Sequence, residues 1–204
     1  MPTGSQTQED AVLTLANRHP LLRARELEAI GIPRTVLSRL LKAGKLVRIS
    51  RGIYGLPTHE MSEHRSLAEA SLRVPRGVVC LLSALRVHGL GTQAPFEVWM
   101  ALPNNYALPR VYSPALRIVT MSGASLAEGV QTTEVDGVEV PVFSAAKTVA
   151  DCFKYRNKIG LDVALEALKD GWKQGKLKMD ELWHFAAVDR VAQVMRPYLE
   201  SVSS

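Results

Sequence analysis

Cysteine is scarce: only Cys80 and Cys152 occur in 204 residues. Each sits in an apolar run with no Cys or His at ligand spacing. A zinc site needs about four ligands in paired spacings, so two buried, reduced thiols and no metal are expected. No run approaches the ~18 consecutive apolar residues of a membrane helix. The opening stretch, Met1 to Asp10, is polar and acidic. It lacks the basic segment and apolar stretch of a signal peptide. These absences point to a cytoplasmic protein with no membrane partner. Also missing are a G-x-x-x-x-G-K-[ST] loop for nucleotide phosphates and a G-x-S-x-G nucleophile elbow. No internal repeat or low-complexity tract is present. Nothing calls for a cofactor.

What is there begins with apolar content. At 47% it is enough for a packed core, and the length suits one large domain or two small ones. The charge is unevenly placed. Residues 1–56 hold nine Lys/Arg and four Asp/Glu, whereas residues 57–204 hold sixteen of each. The whole net charge of +5 therefore falls in the first quarter of the chain. A localised excess of this kind is either the footprint of a phosphate-binding module or a solvated basic face.

Helical spacing runs through that quarter. Apolar residues at 12, 13, 15 and 16 predict a short helix over 11–17. A second is predicted over 23–31, with Leu27 and Ile30 inward and Gly31 as its stop. Pro33 suits the first position of a third helix, which runs to about Ala43 before Gly44. At ~100° per residue, Val36, Leu37, Leu40 and Leu41 share one face of it. Arg34, Thr35, Ser38, Arg39 and Lys42 share the other. One face is core. The opposite face carries side chains able to reach phosphates and base edges. Two short helices joined by a glycine turn, the second with such a face, make a helix-turn-helix. The segment 45–50 then alternates, with Val47 and Ile49 on one side and Arg48 and Ser50 on the other. Arg51-Gly52 forms a turn and Ile53-Tyr54 returns. A basic hairpin directly after a recognition helix is a wing. The DNA-contacting candidates are Arg23, Arg25, Arg34, Thr35, Ser38, Arg39, Lys42, Lys45, Arg48, Ser50 and Arg51.

Pro57-Thr58-His59 suits a linker, dividing the chain into residues 1–57 and 58–204. The second part reads as mixed α+β, with a small sheet and C-terminal helices. A helix over 63–74 has Leu67, Ala70, Ser71 and Val74 on one side. Residues 78–90 are mostly apolar, and His88 sits where it would cap a helix C-terminus. Residues 96–102 and 116–121 are apolar with little alternation, as in central strands. Strands over 129–135 and 138–143 flank Asp136-Gly137, a type I′ hairpin signal. Ser144 suits the N-cap of a helix over 145–155, with Val149, Cys152 and Phe153 buried. Three further stripes follow: Leu161, Leu165, Leu168 and Trp172; Leu182, Phe185 and Ala186; and Val191 through Leu199.

No catalytic constellation emerges. A metal-dependent nuclease would need clustered carboxylates and a lysine on a strand. The nearest segment, Asp136 to Pro141, has proline where the lysine is wanted. Lys147 and Asp151 stand four apart, the spacing of an exposed helix ion pair. The expectation is that the chain is not an enzyme. A DNA-processing enzyme with a winged-helix reader is the weaker alternative.

The ordered series Arg25-Glu26-Leu27, Gly31-Ile32-Pro33, Leu37-Ser38-Arg39-Leu40, Gly44-Lys45-Leu46-Val47-Arg48 and Arg51-Gly52-Ile53-Tyr54 resembles the winged-helix start of the AbiEi family. These are antitoxins of abortive-infection, type IV toxin–antitoxin systems. The resemblance continues through Ser83-Ala84-Leu85, His88-Gly89-Leu90 and the run Phe143 to Asp151. It implies a bacterial DNA-binding autorepressor that acts on inverted repeats in its own operator. It also implies neutralisation of a nucleotidyltransferase-like toxin without need of a stable complex. Because a winged helix reads only a short half-site, self-association on DNA is a further expectation. The alternative is a solitary winged-helix regulator with no toxin.

Overall fold

A computed structural model describes residues 4–58, 63–107 and 113–203. It is mixed α+β and clusters into two compact units: residues 1–69 with 134–139, and residues 70–133 with 140–204. His59, the end of the expected linker, lies outside the described residues.

The first unit runs α1 (Gly4–Arg18), β1 (Leu22–Arg23), α2 (Ala24–Ala29), α3 (Arg34–Lys42), β2 (Val47–Ser50) and β3 (Ile53–Gly55). The three strands form an antiparallel sheet in the order β1-β3-β2. Val12 and Ala16 of α1, Leu27 of α2 and Val36, Leu37 and Leu40 of α3 meet Ile32 and Leu46 in one apolar cluster. Helix α3 stops because Gly44, at φ 67°, lets the chain turn back. Its N–H reaches Leu41 O at 3.1 Å, and Lys45 N–H reaches Leu40 O at 2.9 Å. That pair of bonds satisfies the last carbonyls of the helix.

Four local expectations shift here. Arg23 pairs with Ile53 in β1 and is not helical. Ile30 is 63% exposed, because α2 ends at Ala29 and Ile30 falls beyond its apolar stripe. Pro33 precedes the helix as its N-cap, with ψ 154°. In β2 the expected alternation is absent: Val47 and Arg48 are both exposed, and a bulge lies between Arg48 and Ser50. The buried anchor is Leu46, just before the strand.

After α4 (Arg65–Arg73), the second unit contains β4 (Val78–Val79), α5 (Leu81–His88), β5 (Val98–Pro103), β6 (Leu116–Met121), α6 (Ala124–Ala127), and β7 (Val130–Val135) and β8 (Val138–Phe143) apart from residues 134–139, which cluster with the first unit. Helices α7 (Ala145–Lys154), α8 (Arg156–Ile159), α9 (Leu161–Lys173), α10 (Met179–Val188) and α11 (Ala192–Ser203) complete it. The sheet order is β6-β5-β4-β8-β7, with β5 parallel to β6 and antiparallel to β4. Strand β5 is central, but β6 is an edge strand, which is why its buried positions alternate. Phe96, expected in a strand, precedes β5 and is exposed. Asp136 and Gly137 have φ 49° and 72°, the two positive values a type I′ turn requires. On α9 the buried face is Val163, Ala164, Ala167 and Leu168, whereas Leu161 is exposed. His88 Nε2 donates to Phe143 O at 2.7 Å. Burial lowers its pKa and keeps the ring neutral. Both cysteines are buried and unpaired by disulfide, and burial pushes their thiols up.

Helix α7 is where the sequence reading departs furthest from the structure. Ser144 caps it as expected, accepting from Lys147 N–H. The Lys147–Asp151 ion pair, expected at the surface, has no exposure at all. Lys147 Nζ lies 2.5 Å from Asp151 Oδ1 and 3.1 Å from Asp189 Oδ2. Asp189 Oδ1 in turn accepts from Ser125 at 2.8 Å and Lys154 at 3.1 Å. Helix spacing made the pair visible, but burial depends on Asp189, 42 residues after Lys147.

The two carboxyls differ. Burial pushes Asp151 well above the usual carboxylate range, against the pull of Lys147. Its Oδ2 has no hydrogen-bond partner, an omission that a neutral acid tolerates better than a carboxylate. Burial would raise Asp189 too, but Lys147, Ser125, Asp151 and Lys154 together hold it below its ordinary value. Asp189 thus contributes stability at neutral pH that is lost as pH falls through its folded pKa. The raised carboxyl of Asp151 acts in the opposite sense, opposing stability as pH rises. In urea unfolding at pH 7, Asp189→Asn should cost ~3–5 kcal/mol, as for a broken buried ion pair. Asp151→Asn, which imitates the neutral acid, should cost less than about 1 kcal/mol. Equal losses would show that both carboxyls are ionised.

Candidate nucleic-acid interface

Helix α3 buries Val36, Leu37 and Leu40, so its opposite face must meet solvent. Arg34, Thr35, Ser38, Arg39 and Lys42 are all exposed. Gly44 ends the helix and leads into the hairpin β2–β3. Lys45, Arg48 and Arg51 are exposed along that segment, and Ser50 is half-buried. Gly52, at φ 79°, closes the turn beside Arg51. Arg25 is exposed on α2. Arg23 is set apart: its side chain is only 13% exposed and bonds Glu26 at 3.1 Å.

The sequence reading missed the acidic partners of this face. Arg34 lays its guanidinium on Glu28 as a fork, Nε to Oε1 at 2.5 Å and Nη2 to Oε2 at 3.1 Å. The hydrogen bond to Glu28, then its charge, raises the Arg34 pKa, so Arg34 stays cationic. Arg39 Nε lies 3.6 Å from Glu9 on α1. Glu28 precedes the Gly31 turn, so no single-helix spacing links it to Arg34. Glu9 reaches Arg39 only because α1 packs on α3. By contrast, Arg25, Lys42, Lys45 and Arg48 have no acidic partner among the described residues.

The surface therefore presents two kinds of cation. Some are unpaired and free to meet phosphates, which supplies affinity that depends on salt. Arg34 and Arg39 are held in place by carboxylates, and the fork on Glu28 fixes the plane of one guanidinium.

Two measurements check this division by fluorescence anisotropy on duplex DNA. Glu28→Gln, which removes the competing carboxylate, should tighten binding severalfold. Replacing Lys45 or Arg48 by Ala should flatten the log–log salt slope by ~0.9 each. Unchanged affinity in Glu28→Gln would mean that Arg34 does not face the nucleic acid.

The fold resembles that of a solved structure, the RV2827C protein from Mycobacterium tuberculosis. The two share 16% identity and a TM-score of 0.59 over 89% of this chain and 71% of that one. At that identity the likeness is one of fold alone. No curated protein matches the chain. No helix among the described residues is long and apolar enough to cross a membrane. Residues 10–57, which carry most of α1 through the hairpin, match the family described as "Transcriptional regulator, AbiEi antitoxin".

Proposed function

We propose that this chain is a DNA-binding antitoxin and autorepressor of a type IV, AbiE-like toxin–antitoxin system. The observation that carries the reading is the joint one at residues 10–57. A family of antitoxin regulators matches there, and the same residues expose one cationic helix face followed by a basic hairpin. On this reading the first unit is a winged helix-turn-helix. Helix α3 enters the major groove and the β2–β3 hairpin lies on the backbone or a minor groove. Arg34, Thr35, Ser38 and Arg39 read bases, while Lys42, Lys45, Arg48 and Arg51 hold phosphates.

A single winged helix reads a short half-site, so tight repression requires two copies on an inverted repeat. The second unit carries antitoxicity towards a nucleotidyltransferase-like toxin and any contact between bound copies. The reading includes no catalytic step and no cofactor, and it places the protein in the cytoplasm. Two features support leaving catalysis out. Asp136 serves the turn, and Lys147 and Asp151 are consumed in a buried pair.

Purified protein should prefer its own promoter to random duplex, and the preference should be lost in the Arg34→Ala/Arg39→Ala double variant. A good base contact contributes ~1–3 kcal/mol, so each replacement should cost roughly tenfold or more in discrimination. Co-expression with the toxin tests the division of labour. The double variant should lose repression but still protect cells. Protection lost together with DNA binding would place neutralisation in the winged helix. Equal affinity for promoter and random duplex would overturn the repressor reading.

A further inference from the structure

The second unit contains a cleft of about 580 Å³ that the proposed function does not use. Its floor is polar. Lys154 Nζ bonds Ser125 Oγ and Asp189 Oδ1, both at 3.1 Å. Asp189 Oδ2 is taken by the buried Lys147. The one carboxylate in the wall is thus saturated by two ammonium groups. Arg190 stands at the rim, exposed, with no acidic partner among the described residues. Lys154 keeps a third of its side chain exposed and has a donor to spare. Tyr155 donates to Thr120 O, and burial, its main cause, pushes its hydroxyl up to about 12. It contributes no negative charge at neutral pH. The cleft is left with an excess of positive charge and unused N–H donors.

A second observation singles out Arg190. Five described helices close with the same pair of bonds, in which a residue with left-handed backbone donates three residues back. They end at Gly31, Gly44, Gly89, Gly175 and Arg190. Glycine takes that conformation without steric cost, whereas any other side chain is strained there. Four of the five closers are glycine. Arginine stands at the fifth, at φ 58°, beside the cleft. The helix end does not call for it, so a role for its side chain does.

We infer that this cleft binds a small phosphate monoester, with Lys154 and Arg190 gripping the phosphate and the remaining volume holding its polar body. The guanidinium fork matches the oxygens of a phosphate monoester, and the unused Lys154 donor adds a second contact. The volume suits a ligand about the size of a mononucleotide.

The test uses the full chain, with sodium chloride at matched ionic strength as the salt control. Calorimetry and thermal unfolding are followed with glycerol 3-phosphate, adenosine 5′-monophosphate and inorganic phosphate. A saturable rise in Tm is expected with at least one monoester, exceeding that with inorganic phosphate. Arg190→Gly places glycine where the backbone favours it, so the unliganded Tm should be unchanged or higher while affinity falls about tenfold or more. Arg190→Lys should retain most of the binding. Three results would overturn the inference. One is no saturable binding. Another is equal binding in Arg190→Gly, which would assign it to the basic face of the first unit. The third is inorganic phosphate binding at least as tightly as both monoesters.

Discussion

An ammonium without access to water has to be paired where it lies, and Lys147 is such a group. Removing it from water costs several kcal/mol, and only close, well-directed carboxylates offset that. Asp151 comes from the same helix and, as a buried neutral acid, offers a hydrogen bond at no topological cost. Asp189 does not: it caps α10, and it can reach Lys147 only if α10 packs on α7 in one register. The second carboxylate then gathers Ser125 of α6 and Lys154 from the end of α7. One buried cation therefore aligns three helices. Replacing the set with apolar residues could give equal stability but would not single out this alignment.

The same alignment fixes what the chain shows at the end of α10. Asp189 points inward, so the next residue must carry the turn and face outward. Arg190 does both, adopting a left-handed conformation that the four other helix ends closed in this way leave to glycine. The buried network and the exposed guanidinium are adjacent in sequence and opposite in direction. A core constraint thereby sets the position of a surface charge, and the cleft beside it follows from both.

Much of the first unit was legible in the sequence. The periodicity of Val36, Leu37 and Leu40 dictated which face of α3 is buried, and Gly44 dictated where it stops. Local signals also sufficed for the Asp136-Gly137 turn and the Ser144 cap. What escaped was non-local. A two-residue strand such as β1 has no period to detect, and it exists because Ile53 and Tyr54 offer it a partner. Apolar runs do not say which strand lies at an edge, so 96–102 and 116–121 looked alike although only β5 is central. Spacing proposed the Lys147–Asp151 pair, but nothing near it in sequence announces Asp189. The carboxylates opposite Arg34 and Arg39 were hidden for the same reason.

Those carboxylates alter how the basic face should be understood. A net charge of +5 suggests indiscriminate attraction to any duplex, but the two arginines on the proposed base-reading face already have partners. An ion pair this exposed is largely screened by water, so on the proposed reading a phosphate or a guanine edge can displace Glu28 at little net cost. Little is not nothing, however. A wrong sequence that offers Arg34 a poorer partner than Glu28 leaves the fork closed, and the correct base opens it. The unpaired Lys42, Lys45 and Arg48 carry no such condition and attract every sequence equally. On the proposed reading, affinity for DNA in general and choice among sequences would be supplied by different cations of one small unit. On that reading Glu28, paired with Arg34, would be the internal competitor against which each sequence is measured.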